Sequence, residues 1–175
     1  MVFTSEKKEP ITVEARVTGH HFGRFAMYDT FVRRKGWRAP LVFIILMGGF
    51  ATLCFTVLRG REQASLLGIV LLSVGLVLPV VWLLMYIFSV RKQIKSFELS
   101  EYKVQYTLTF TDSGFTVKKG KETADFKWKD IVRVKCDKGC SYLYVKSGKA
   151  FLLPDSSQAA QAMELLHGKC NDKFI

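Results

Sequence analysis

Two uncharged apolar stretches constrain this chain more than any other feature. Between Ala39 and Leu58 no residue is charged, and between Ala64 and Val90 none is either. At a rise of about 1.5 Å per residue, the first stretch covers roughly 30 Å as a helix, the thickness of a bilayer's hydrocarbon core. The second is longer, and must tilt, kink at Pro79 or run past the lipid. Only Arg59-Gly60-Arg61-Glu62-Gln63 separates them. The pair predicts a tight transmembrane hairpin with spans of about 39–58 and 64–90. No charge lies within either span, which argues against a proton pump or ion carrier built from this hairpin alone.

The rest of the chain is polar sequence rich in lysine, enough for one small domain. The formal net charge is +11. Its placement matters more than its size: residues 1–38 carry an excess of +4, and residues 91–175 an excess of +6. Arg33, Arg34, Lys35 and Arg38 stand directly before the first span, and Arg91, Lys92 and Lys95 directly after the second. The positive-inside bias therefore predicts a multi-pass protein of the cytoplasmic membrane with both termini cytoplasmic. Arg59 and Arg61 argue the other way but are outnumbered. Orientation accounts for the basic clusters, so no nucleic-acid partner is expected. Residues 1–38 contain no continuous apolar core of a cleavable signal, and the first span is the expected insertion signal. Cys54, Cys136, Cys140 and Cys170 are expected as reduced thiols.

Ile11 to Val17 alternates apolar with polar, the period of a half-buried strand. His20 to Lys35 reads as a helix with Phe22, Phe25, Tyr28, Phe31 and Val32 on a wide apolar side. It can lie among lipid headgroups or pack on the soluble domain, and the sequence leaves both open. Trp37 and Pro40 suit an interfacial anchor and the first turn of a helix. Gly48, Gly49, Gly68 and Gly75 would let the two spans approach closely, or pack against another protein's helices. The second helix is expected to continue past Arg91, Lys92 and Lys95 to about Leu99.

From Lys103 the period becomes two, with Val104, Tyr106, Leu108 and Phe110 on one face. Turns at 112–114, 119–121, 137–139 and 147–148 separate further short strands, an antiparallel meander. Pro154-Asp155-Ser156 begins a helix capped by Asp155 or Ser156, with Ala159, Ala162, Met163 and Leu166 buried and Gly168 as its stop. The strand at Ile11–Val17 is expected to join the meander, making the hairpin an insertion within one domain. The tail from Asn171 onward suggests nothing.

A meander closed by one amphipathic helix outlines a pleckstrin-homology-like barrel. Phe126-Lys127-Trp128-Lys129-Asp130-Ile131, Tyr142-Leu143-Tyr144 and Phe151-Leu152-Leu153-Pro154 resemble the YcxB-like family of bacterial membrane proteins, over nearly the whole chain. The family pattern is a Trp shortly before an Ile, an aromatic strand, and an apolar run ending in Pro. Many members follow that Pro with Lys, where this chain has Asp155. The resemblance implies an α+β membrane protein. A two-helix hairpin, inserted in or attached to a small antiparallel PH-like β-barrel, would occupy residues 39–98. The barrel and its C-terminal helix would occupy 99–175, after an N-terminal strand and juxtamembrane helix at 1–38.

Little here reads as catalysis. Cys136 and Cys140 flank a turn as C-x3-C, and His20, His21, His167 and Cys170 could in principle complete a zinc site, but the usual paired spacing is missing. No phosphate-binding loop or nucleophile motif appears. Trp128 and the tyrosines 102, 106, 142 and 144 read as core or sheet-face residues rather than a ligand cage. Lys118, Lys119, Lys121, Lys127 and Lys129 surround one hairpin, as a solubilising edge or a contact for anionic lipid. The expectation is a non-enzymatic membrane protein without cofactor or metal. It would bind anionic headgroups or a partner protein at the inner leaflet, with Arg33, Arg34, Lys35, Arg38, Arg91, Lys92 and Lys95 facing them. The alternatives are an accessory subunit or homo-oligomer, and a cysteine-based redox or metal sensor.

Overall fold

In the computed structural model, residues 9–58, 60–99 and 103–174 are described. Arg59 and Tyr102 lie outside them, as does most of the N-terminal stretch. The chain divides into two compact units, residues 1–22 with 98–175, and residues 23–97.

Among the described residues the first unit holds seven strands in two antiparallel sheets. β1 (Ile11–Ala15), β2 (Tyr106–Thr111), β3 (Gly114–Lys119) and β4 (Glu122–Lys127) form one, in that order. β5 (Ile131–Asp137), β6 (Cys140–Val145) and β7 (Ala150–Pro154) form the other. β1 joins the sheet as expected: Ile11 faces Phe110, Val13 faces Leu108 and Ala15 faces Tyr106. Strand periodicity places Val13, Ala15, Leu108 and Phe110 in the core, each at most 1% exposed.

The two sheets do not close into the expected barrel. Between β4 and β5 the residues Trp128–Asp130 form a 3-10 turn, and no ladder crosses it. Trp128 is therefore a corner residue, not a strand residue. Asp130 fixes the corner by accepting a 3.0 Å bond from the Lys127 amide.

One side chain replaces a missing ladder elsewhere. The Tyr106 hydroxyl donates to the Leu152 carbonyl oxygen at 2.8 Å and accepts from the Leu152 amide at 2.7 Å. A single phenol thus satisfies both backbone groups of a β7 residue and ties β2 to the second sheet. Burial pushes the hydroxyl's pKa far up, so it stays protonated and can do both.

α4 (Ser157–Cys170) starts at Ser156, whose hydroxyl accepts from the Ala159 amide at 3.0 Å. The helix does not stop at Gly168. Leu166 and Cys170, four residues apart, are both at most 1% exposed, so burial carries it one turn further. The tail is also ordered by packing. Phe174 bridges Val134 in parallel and its ring stacks on His167 at 3.7 Å.

The second unit is helical. α1 (Gly19–Met27) ends earlier than expected and passes into a π-helical turn, Tyr28–Arg33. α2 (Arg38–Thr56) and α3 (Glu62–Ser96) follow, and both are long and apolar enough to cross a membrane. α3 runs through Pro79 to Ser96, about 52 Å by helix rise, against about 28 Å for α2.

The α2–α3 seam is built on small residues. Ala51, Cys54 and Ala64 are buried along it. A Cβ added at Gly68 would meet the Phe55 ring at 2.7 Å, and one at Gly75 would meet the Met47 Cβ at 2.8 Å. Gly48 and Gly49 do not serve this contact, since an added Cβ at either meets nothing within 4 Å.

Two expected outcomes follow from these contacts. Gly75→Ala should destabilise the hairpin by about 1–3 kcal/mol, because the Met47 Cβ is tied to its backbone. Gly68→Ala should cost less, because the Phe55 ring tip can swing aside. Denaturation of the full chain in detergent ranks the two. Tyr106→Phe should cost about 1–3 kcal/mol by stranding the Leu152 amide and carbonyl, read as a lower midpoint in the same assay.

Candidate functional site

The seven basic residues expected at the membrane flanks all lie in the helical unit, and all seven are exposed. The structure brings some of them together. The π-helical turn places Asp29 between Arg33 and Arg34. Arg33 Nε donates to Asp29 Oδ1, and Arg34 Nε donates to Asp29 Oδ2 at 2.8 Å. In a regular α-helix residues 29 and 34 would lie on different faces. The wider turn aligns them, with the Arg34 amide donating to the Asp29 carbonyl at 2.9 Å.

Asp29 was not visible as a site residue in the sequence. It is a single acid among basic and aromatic neighbours, and only the π-turn gives it two arginines. It is 9% exposed. Burial pushes its pKa up, but the hydrogen bond and charge of Arg33, then those of Arg34, outweigh this and hold the carboxyl below the usual range. Its contribution to stability is therefore present above about pH 4 and fades as the pH falls through the lowered value. Two of the four cations around the entry to α2 thus share one internal anion, which cancels a single charge.

The turn ends at Lys35, in the left-handed region at φ 53°. The Gly36 amide then donates to the Thr30 carbonyl at 2.8 Å, and a Cβ at Gly36 would lie 2.9 Å from that oxygen. Phe31 packs edge-on against Trp82 and Tyr86, with ring centroids 6.0 and 5.3 Å away. This fixes the turn alongside α3. Between Gly36 and Trp82 an apolar groove of about 230 Å³ remains, lined also by Ala39, Pro40, Phe43, Leu78 and Pro79.

Arg91, Lys92 and Lys95 project from the last turns of α3, where cations favour the negative helix end. The five lysines around the β3–β4 hairpin, at 118, 119, 121, 127 and 129, are exposed as well.

The remaining candidates do not converge. Cys136 is exposed while Cys140 and Cys170 are buried, and all are free thiols. Burial pushes the Cys170 thiol up, away from the reactive thiolate. Among the described residues no group of three or more His, Cys, Asp or Glu could hold a metal. Asp155 precedes α4 and lines a cavity of about 530 Å³ with Ser141, Leu153, Ser156, Ala159, Ala160 and Met163. Asp155 adds a negative charge just before the helix N-terminus, which disfavours an anion there.

Trp128 holds a structural position. Its indole N–H donates to the Asp112 carbonyl at 2.9 Å, and its own carbonyl accepts from Lys173 Nζ at 3.0 Å. Its ring stacks on Phe110 with centroids 6.3 Å apart. It pins the inter-sheet corner to the C-terminal segment.

These features define an α+β protein in which two long apolar helices interrupt a pair of hydrogen-bonded strands. Residues 110–166, from β2 through most of α4, match the model of the YcxB-like protein family. The match takes in all three motifs that suggested the resemblance, but it covers about a third of the chain and stops short of the apolar helices. No curated protein and no solved structure matches the chain.

Asp29→Asn should loosen the π-turn by roughly 1 kcal/mol, a modest figure because Arg34 is largely exposed. Hydrogen exchange reads it as about fivefold lower protection at the Arg34 and Gly36 amides, with the sheet amides unchanged.

Proposed function

We propose that this is a non-catalytic protein of the cytoplasmic membrane, crossing it twice with both termini on the cytoplasmic side. Its role is to bind anionic phospholipid headgroups at the inner leaflet. The observation that carries this reading is the surface of α2 and α3. Only 11% of each apolar window is buried within the protein, where the core helix of a water-soluble protein would be mostly covered. Such a surface needs lipid or another apolar surface against it.

The basic residues support the orientation. Arg38 opens α2 and Arg91, Lys92 and Lys95 close α3, so the cationic ends of the two antiparallel helices coincide. Exposed Met27, Val32 and Trp37 lie among Arg33, Arg34 and Lys35, an apolar-basic mixture suited to a headgroup layer. α3 exceeds a 30 Å hydrocarbon core by about 20 Å, which carries Arg91 and Lys95 beyond it. The four-stranded and three-stranded sheets with α4 then form an open PH-like cytosolic domain.

A second reading rests on Gly48 and Gly49. These leave an uncontacted small-residue face on α2, where a helix of a partner membrane protein could lie as it would on an accessory subunit.

Two measurements test the main reading. A membrane-impermeant maleimide should label the exposed Cys136 only after cells are permeabilised; labelling of intact cells would invert the topology. Native mass spectrometry of the full chain extracted from its own membrane should show anionic phospholipid enriched several-fold over the bulk membrane. Replacing Arg91, Lys92 and Lys95 by Gln should reduce that enrichment. Retained lipid of bulk composition would remove the headgroup reading.

A further inference from the structure

We propose that the groove between Gly36 and Trp82 holds one acyl chain of an anionic phospholipid, with Lys35 and Arg38 meeting its phosphate. This rests on the membrane reading above and assigns it a specific seat.

The groove is a gap between closed contacts. Toward the α2–α3 loop the helices touch at Gly68–Phe55 and Gly75–Met47. On the other side Phe31 closes against Trp82 and Tyr86. Between them the chain turns at Lys35 and Gly36, where the backbone leaves its helical path and Gly36 lacks a side chain. Ala39 adds only a methyl, so the space before Leu78, Pro79 and Trp82 is not filled.

Its chemistry selects hydrocarbon. The seven lining residues present no charged side chain. Water there would find few of the polar partners it needs, whereas a dry apolar cavity of roughly 150 Å³ already admits benzene. At about 230 Å³, the groove takes a segment of a chain rather than a helix.

The headgroup follows from position. Lys35 and Arg38 immediately flank lining residues Gly36 and Ala39 in the chain. Arg33 and Arg34 already share the Asp29 carboxylate, so the phosphate is assigned to the other two. Each cation near an anionic lipid surface is worth about fivefold in partition, so the pair predicts roughly a 25-fold preference at most. A second copy of this chain would bring the same positive rim against it, which disfavours that occupant.

The test uses the full chain with Trp37→Phe and Trp128→Phe, leaving Trp82 as the fluorophore. It is reconstituted with lipids brominated on the acyl chain, phosphatidylglycerol in one arm and phosphatidylcholine in the other. Trp82 should be quenched several-fold more efficiently by the anionic lipid. Replacing Lys35 and Arg38 together by Gln should equalise the arms. Ala39→Leu, which fills the groove, should weaken quenching in both. Equal quenching by the two lipids, or no response to Ala39→Leu, overturns the proposal.

Because Trp128→Phe can disturb the sheets, lipid counting is repeated on the otherwise unaltered chain. Ala39→Leu should lose a retained anionic lipid while Gly48→Leu should not. Should the chain retain anionic lipid equally with and without Ala39→Leu, the groove assignment falls while the headgroup reading stands. Should no anionic enrichment exist in either, both fall.

Discussion

The rest of the structure depends on one strand pairing. Ile11–Ala15 hydrogen-bonds with the Tyr106–Phe110 stretch across five residue pairs, although some ninety residues of chain lie between them. Because these strands are neighbours, whatever is inserted must leave the sheet and come back to it. If the inserted helices cross a membrane, they must do so an even number of times. For two spans the pairing would return the chain to the side it left, and the lysine and arginine counts independently favour a same-side arrangement. An N-terminal anchor of a single span could not satisfy the first constraint.

This explains why some of the fold was legible in the sequence and some was not. The two apolar helices, the alternation of β1 and β2 and the Ser156 cap are local patterns, readable within a window of a few residues. What could not be read are choices between equally local options. Gly48-Gly49 and Gly68 with Gly75 carry the same small-residue signal, but helix rotation turns only the second pair into the seam. Gly168 has the chemistry of a stop, yet burial of Cys170 outweighs its propensity. The meander gave no sign of splitting, because a 3-10 corner of three residues resembles any other strand connection.

The candidate site shows the same limit more sharply. All seven basic residues were visible, since charge beside an apolar run stands out. Asp29 was not, because its meaning comes from a π-turn that widens the helix enough to place it between Arg33 and Arg34. Asp29 is already within the +4 excess of residues 1–38, so the pairing changes how that charge is arranged and not its sum. In this chain the residues that carry the family resemblance belong to the frame. Trp128 bonds Asp112 and is bonded by Lys173, so here the Trp shortly before Ile131 sits at an inter-sheet corner. A match over 110–166 accordingly speaks to the sheets and α4, and says little about the residues before Arg38 or after Val90.

Asp29 also bears on how the entry to α2 is arranged. An unpaired carboxylate would be costly to bury. Held by two arginines it is satisfied, and its lowered pKa keeps it charged near neutrality. The pair-and-acid cluster then serves geometry: it fixes the turn that ends at Lys35, and that turn leaves the space beside Gly36 open. Lys35 and Arg38 flank that space, and among the described residues neither shares a carboxylate in the same way. One internal anion thereby sets Arg33 and Arg34, which shape the entry to the helix, apart from Lys35 and Arg38. That division follows from hydrogen-bond geometry and could not be inferred from net charge.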